Sequence, residues 1–378
     1  MRFFRTFSIR YFDFLLAFMI LGLNLIGIAA IGSAAPDLQV RQLEGMIMGI
    51  VIMLMVSLID YNKLLRLYWV YYIVNILLLA LVIAVGSTGG GAQRWIQIGG
   101  ITFQPSEAAK ILLILFYAKF IMKYKASIRP FVFFAICVLL VIPPAVLIYE
   151  EPDLSTTIMV MVIFASILFI EGVISYKLVI AVFVLAVPAV IVFINLVIQE
   201  GQTILDDYQQ GRILAWLHPE QYSNSTAMQT MNSIIAIGSG MLTGKGYNTN
   251  EISSLLNSGY ISQSQTDFIF AVIGEEFGFI GASAVVILIA LISVRLFLIA
   301  REAKDTAGAV IASSMGVWIG FQGYMNIGVV TGVLPNTGIP LPFVSYGLTS
   351  LVSLYLGIGF ALNVSAQNRN KQLRSQDS

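Results

Sequence analysis

Residues 130–149 read PFVFFAICVLLVIPPAVLIY, twenty consecutive positions without a charged side chain. Crossing the hydrocarbon core of a bilayer takes about 20 mostly apolar residues in a helix. The stretch therefore reads as a membrane span. Working outward from it, similar runs occur at 12–33, 42–59, 66–86, 105–123, 155–171, 176–198, 267–295, 306–332 and 345–366. The pattern predicts an all-α polytopic membrane protein with ten transmembrane helices. Composition agrees: 58% of the 378 residues are hydrophobic and 11% are charged, where soluble domains carry about 25% charged residues. A soluble core cannot absorb that much apolar surface, whereas a bilayer can.

Basic residues orient the spans. With the N-terminus inside, 16 of the 21 Lys and Arg residues fall on the cytoplasmic side. Arg41, Arg94, Arg212 and Lys245 fall outside, and Lys110 lies within a span. That asymmetry follows the positive-inside rule and predicts both termini in the cytoplasm. Dropping any one span would invert everything after it. The apolar run after Arg10 reaches Ile31 without a small-residue cleavage signal, so it reads as the first span and not as a signal peptide. The expected organisation is one integral membrane domain over 1–378. Its extracytoplasmic loops are expected at about 87–104 and 199–266, the large second one between helices 7 and 8. Net charge is +1, which gives no electrostatic reason to expect nucleic acid. The single Cys137 excludes an intrachain disulfide and a Cys-based metal site.

Polar chemistry collects in the outside loops and at a few sites within the spans. Glu107 and Lys110 are three apart at the start of the fourth span and share a helix face. Ionisable groups at such depth must pair or face water, so they mark either a polar cavity or a buried structural ion pair. Glu275 and Glu276, two turns past Asp267, read first as structural. Asp267 opens the eighth span, where Asp commonly caps free N–H groups. Trp95 suits an interfacial anchor or a sugar-stacking platform. Gly89-Gly90-Gly91 and Gly238-Ser239-Gly240 lack the Lys-Ser/Thr pair of a phosphate-cradling loop, so they do not support a nucleotide site. A carboxylate-held divalent cation, Mg²⁺ or Mn²⁺, stays open, because such an ion needs only one or two carboxylates plus substrate phosphate.

Seven strings, in order, resemble the SEDS family, the RodA/FtsW/SpoVE peptidoglycan polymerases. They are Gly91-Ala-Gln-Arg-Trp-Ile96, Gln104-Pro-Ser-Glu-Ala-Ala-Lys110, Glu151-Pro-Asp-Leu154, Tyr208-Gln-Gln-Gly-Arg-Ile213, Gly238-Ser-Gly-Met-Leu-Thr-Gly-Lys-Gly-Tyr247, Thr266-Asp-Phe-Ile-Phe-Ala271 and Pro340-Leu-Pro-Phe-Val-Ser-Tyr-Gly347. The run Ile339 to Pro342 looks closer to the RodA branch. The resemblance implies an inverting glycosyltransferase that polymerises lipid II, an undecaprenyl-pyrophosphate disaccharide-peptide, on the outer face of the cytoplasmic membrane. It also implies a class B penicillin-binding protein as partner. It places the essential acid at Asp267 and associates Arg94, Trp95, Glu107, Lys110, Glu151, Asp153, Arg212, Lys245 and Ser345 with a polar, substrate-binding cavity. Gln265 stands where the family commonly has His, so no proton relay carries over at that position.

A sugar hydroxyl is a poor nucleophile, and a carboxylate within hydrogen-bond reach can take its proton. Asp267 is the candidate base. Lys110, Arg212 or a cation would meet the charge of the departing pyrophosphate. Two rival readings remain at this stage: a lipid II flippase, which should show internal repeats, and a noncatalytic scaffold for a penicillin-binding protein, which would tolerate loss of the Asp267 carboxylate.

Overall fold

The computed structural model describes residues 12–89, 92–98, 101–177, parts of 180–197, 207–221, 226–248 and 263–376. The described chain is built mainly from helices. They are α1 (Phe14–Ala34), α2 (Pro36–Leu58), the short α3 (Tyr61–Leu64), α4 (Tyr68–Val85), α5 (Pro105–Tyr124), α6 (Pro130–Glu150) and α7 (Leu154–Ile170). Then follow α8 (Asp207–Leu217), α9 (Thr226–Ser239), α10 (Ile269–Arg301), α11 (Thr306–Val330) and α12 (Leu348–Gln376). The expected span at 176–198 falls largely outside the described residues.

Among the described residues, six stretches are long and apolar enough to cross a membrane: α1, α2, Tyr61–Val85, α6, α10 and Leu348–Gln367 of α12. The chain is a multi-pass helical membrane protein. Its helices sort into two layers. On α1, Phe14, Leu15, Phe18 and Leu25 are exposed, and α4 and α6 likewise show Trp69, Ile73, Leu77, Phe131 and Leu139. Contiguous apolar surface of this kind is tolerated against lipid. In contrast, 14 of the 20 residues of α5 and 17 of the 25 of α11 are buried. These two inner helices contact each other, and α11 also packs on α7, α10 and α12. Protein and not lipid surrounds them, which is why they can carry Glu107, Lys110, Gln322 and Asn326.

Three local features position the site. First, the segment expected as a Gly-rich loop at 87–104 folds into an antiparallel sheet of β1 (Ser87–Gly89), β2 (Ala92–Ile98) and β3 (Ile101–Phe103). Ser87 pairs with Trp95, and Ile96 with Phe103. The Thr349 hydroxyl at the start of α12 donates to the Thr102 carbonyl and accepts from the Gln104 N–H, both at 3.3 Å, fixing the sheet over the helices. Second, Asp153 caps α7, accepting from the Thr156 N–H at 3.1 Å.

Third, the eighth expected span is not one regular helix. α10 breaks at Gly278, where φ is +63°. The loop after α9 docks into the break: Phe279 and Ile280 N–H groups donate to the Met241 and Leu242 carbonyls at 2.8 and 3.2 Å. Lys245 and Gly246 N–H groups donate to the Glu275 and Glu276 carbonyls at 2.9 and 3.0 Å. The kink frees backbone groups that would be costly in a bilayer, and the loop satisfies them. A Cβ at Gly278 would lie 2.3 Å from the Gly244 nitrogen, so only glycine permits this approach.

Candidate active site

Asp267 lies in the turn 263–268 that precedes α10. It does not cap that helix. The cap position is Phe268, and no side chain bonds there. Its local structural role therefore falls away, and its carboxylate is left to face a cavity of about 610 Å³.

Backbone sutures fix the carboxylate. The Asn326 amide on α11 donates to the Asp267 carbonyl and to the Ile339 carbonyl, each at 2.8 Å. The Ser345 hydroxyl donates to the Thr266 carbonyl at 2.6 Å and accepts from the Leu341 N–H at 2.7 Å. The Tyr346 N–H reaches the Gln265 carbonyl at 2.9 Å. The acid-bearing turn and the proline-rich loop 336–346 thus form one unit. Within it, Gly338 adopts φ +68°, and a Cβ there would lie 3.4 Å from both Asp267 Oδ2 and Arg212 Nη1. Asp267 and Arg212 therefore flank the same small space.

The cavity wall also carries Arg94, Trp95, Gln104, Gln265 and Asn336. A smaller cavity of about 50 Å³ adjoins it through Arg94, Trp95, Gln104 and Gly338, and adds Glu107, Lys110 and Asp153. Arg94 Nη1 stands 3.7 Å from Asp153 Oδ2, which the Gln104 amide also approaches at 3.4 Å. Lys110 Nζ pairs with Glu107 Oε1 at 2.6 Å, donates to Gln322 Oε1 at 3.3 Å, and sits 4.7 Å from the centre of the Trp318 ring. Gln322 in turn donates to the Pro340 carbonyl at 2.8 Å. The buried pair is thereby wired to the loop that holds Asp267.

Opposing forces act on the Asp267 carboxyl. Burial pushes its pKa up, while Arg212 and then Arg94 pull it down. Burial is the larger effect, so the carboxylate binds a proton more readily than an exposed Asp. That direction suits a base.

The structure brings most of the expected residues together. Asp267, Arg94, Trp95 and Arg212 line the large cavity, and Glu107, Lys110 and Asp153 line the small one. Three stand elsewhere. Ser345 holds the acid-bearing turn through its backbone. Glu151 lines neither cavity: it is 1% exposed, its oxygens accept no hydrogen bond among the described residues, and burial pushes its pKa up to about 8. Lys245 pairs with Glu275 at 2.8 Å and belongs to the clip at the α10 break. Sequence reasoning did not single out Asn326, Gln322 or Gly338. The spacing of Trp318, Gln322 and Asn326, four residues apart within a span, was the available signal.

Among the described residues, no three His, Cys, Asp or Glu side chains converge on a metal position. The wall of the large cavity carries one carboxylate, Asp267, together with the uncharged polar residues Gln265, Thr266 and Asn336. This hard-oxygen set suits Mg²⁺ or Mn²⁺ when phosphate oxygens from a substrate complete the shell.

Fold and site define a polytopic membrane protein whose central cavity sets one carboxylate among arginines. Residues 6–370 match the model of the FtsW/RodA/SpoVE family, described as cell cycle proteins. The chain belongs to this family. It is 35% identical over 335 residues to the peptidoglycan glycosyltransferase MrdB of Escherichia coli K12, covering 87% of this chain and 86% of that one. It is 34% identical over 304 residues to a probable peptidoglycan glycosyltransferase FtsW of Haemophilus influenzae, covering 79% and 73%. Among solved structures, it is similar to a chain from a study of how a peptidoglycan synthase complex coordinates polymerization and crosslinking. That match has a TM-score of 0.76 and 29% identity over 94% of this chain and 97% of that one. The rod shape determining protein RodA of Thermus thermophilus matches with a TM-score of 0.70 and 27% identity, over 94% and 97%.

Proposed function

We infer that the chain is a peptidoglycan glycosyltransferase that polymerises lipid II into glycan strands, with Asp267 as general base. The observation that carries the mechanism is the Asp267 carboxylate beside Arg212 on the wall of the large cavity. Asp267 takes the proton of an acceptor sugar hydroxyl as its oxygen attacks the donor's anomeric carbon. The bond from that carbon to the phosphate oxygen breaks, and the pyrophosphate leaves with the electron pair. Attack opposite the leaving group inverts the centre and gives a β-linked strand from an α-linked donor. Arg212 and Arg94 stabilise the departing charge, since guanidinium forks fit phosphate oxygens. Lys110 contributes from behind the wall, because Glu107 and Gln322 already hold its ammonium. Asp267 and the oxygens beside it would also hold a divalent cation arriving with the pyrophosphate, which would supply further charge neutralisation.

The proposal includes ten transmembrane helices in one integral membrane domain, with both termini in the cytoplasm. The large extracytoplasmic loop lies between helices 7 and 8, and the cavity faces outward from the bacterial inner membrane. The partner is a class B penicillin-binding protein transpeptidase. The relatives named peptidoglycan glycosyltransferase support the activity, the similarity to a peptidoglycan synthase complex supports the partner, and the positive-inside asymmetry supports the orientation.

The test is purified chain, with and without such a partner, incubated with lipid II. Glycan polymer is the expected product. Transfer of labelled lipid across vesicles without polymer would favour a flippase and overturn the assignment.

A further inference from the structure

A third cavity of about 160 Å³ lies between α8, α9 and the turn after α11. Ala215, Trp216, Met231 and Ile234 line it, and it shares Arg212 and Asn336 with the cavity of Asp267. One arginine therefore marks the seam between a polar chamber and an apolar one. Both walls are anchored. Trp216 Nε1 donates to the Gly332 carbonyl at 3.0 Å, and the Ser233 hydroxyl donates to the Val330 carbonyl at 2.7 Å. The pocket also has a greasy exit: Met228, Met231, Ile234 and Ile235 on α9 are 41–53% exposed.

The geometry points to this pocket as the seat of the first isoprene units of the polyprenyl diphosphate carrier, with its diphosphate at Arg212. The identity of the carrier rests on the glycosyltransferase reading; the pocket's chemistry does not. A ligand here must be anionic where it meets Arg212 and hydrocarbon immediately beyond. Free pyrophosphate satisfies only the first requirement, and an ordinary acyl chain only the second. A prenyl diphosphate joins the two within one bond. The exposed apolar strip on α9 then gives the rest of the tail a path into the bilayer. The arrangement holds the leaving group while its lipid stays in the membrane.

The experiment compares farnesyl diphosphate with inorganic pyrophosphate as ligands of the full chain in lipid nanodiscs. Wild type should bind the prenylated probe at least about tenfold more tightly, the equivalent of burying one or two methylene groups. Ala215→Phe and Ala227→Leu fill the pocket. Each should erase that preference while pyrophosphate binding stays within about twofold. Retention of the preference in both folded variants would overturn the assignment. A diazirine-bearing farnesyl diphosphate on wild type needs no variant: label within 215–219 or 227–234 upholds the pocket, and label confined to other helices overturns it. If wild type binds and labels as expected yet makes no polymer, the pocket stands and the glycosyltransferase reading falls.

Discussion

Gly338→Ala separates the chemistry of the cavity from the stability of the fold. Gly338 sits at φ +68°, where an L side chain strains the backbone. That strain costs about 1–2 kcal/mol. The added methyl would not clash outright, because its nearest neighbours, Asp267 Oδ2 and Arg212 Nη1, lie at 3.4 Å. It would instead occupy the space where an acceptor hydroxyl must come within about 2.6–3.2 Å of the carboxylate. Displacing a reacting group by about 1 Å can cost 10²-fold in rate, so polymerisation should fall roughly 10–100-fold. Gly172→Ala supplies the control. Gly172 has φ +63°, and a Cβ there meets nothing within 4 Å. Both variants should therefore lose similar thermal stability in detergent, while only Gly338→Ala loses polymer synthesis. Equal polymerisation rates in the two would refute the placement of the reacting hydroxyl between Asp267 and Arg212.

Three further outcomes follow from buried groups. Lys110→Met leaves the Glu107 carboxylate, 3% exposed, without its cation; the cost should be about 3–5 kcal/mol, with much of it recovered in Glu107→Gln/Lys110→Met, as read by thermal unfolding. Asn326→Leu removes both amide bonds that tie Asp267 to Ile339. As a positioning residue, its loss should lower kcat far more than it changes KM, at a stability cost of about 1–3 kcal/mol. Glu151 has its pKa raised from 4.5 to about 8 in the folded chain. Its protonated form therefore contributes stability that is fully present below pH 4.5 and lost as pH rises through 8. Glu151→Gln should flatten the dependence of stability on pH across that window, a difference of at most about 5 kcal/mol at the alkaline end read by thermal unfolding, and should keep polymerisation at pH 7.

Most helical bounds were legible because lipid imposes a one-sided rule: a long uncharged run has few other places to go; the exceptions include α2, which begins at Pro36 and not at 42, and α12, which runs to Gln376 and not to 366. Residues 130–149 and α6 differ by a single position. Glu107–Lys110 was legible as a pair because helical spacing fixes which side chains meet. The small sheet was not, since β1 and β3 have three residues each, too few for a period-two pattern to emerge. Nor was the α10 break. Gly278 is one of 32 glycines, and the close approach that requires it comes from Leu242 and Gly244, more than thirty residues upstream. The role of Asn326 was hidden for a related reason: its partners are backbone carbonyls of residues far along the chain, which carry no side-chain signature. Asp267 shows the opposite case. Its sequence position suited a helix cap, and only the geometry moved the cap to Phe268 and released the carboxylate.

The most direct test of the account is Asp267→Asn. The substitution keeps the size of the side chain and the backbone bond from Asn326, and removes the proton acceptor together with the charge that faces Arg212 and Arg94. Purified variant and wild type, matched for folding by thermal unfolding, are given lipid II, and polymer is measured over time. The account predicts a loss of about 10²–10⁴-fold for removal of a general base. Polymer formed by Asp267→Asn at the wild-type rate would contradict it.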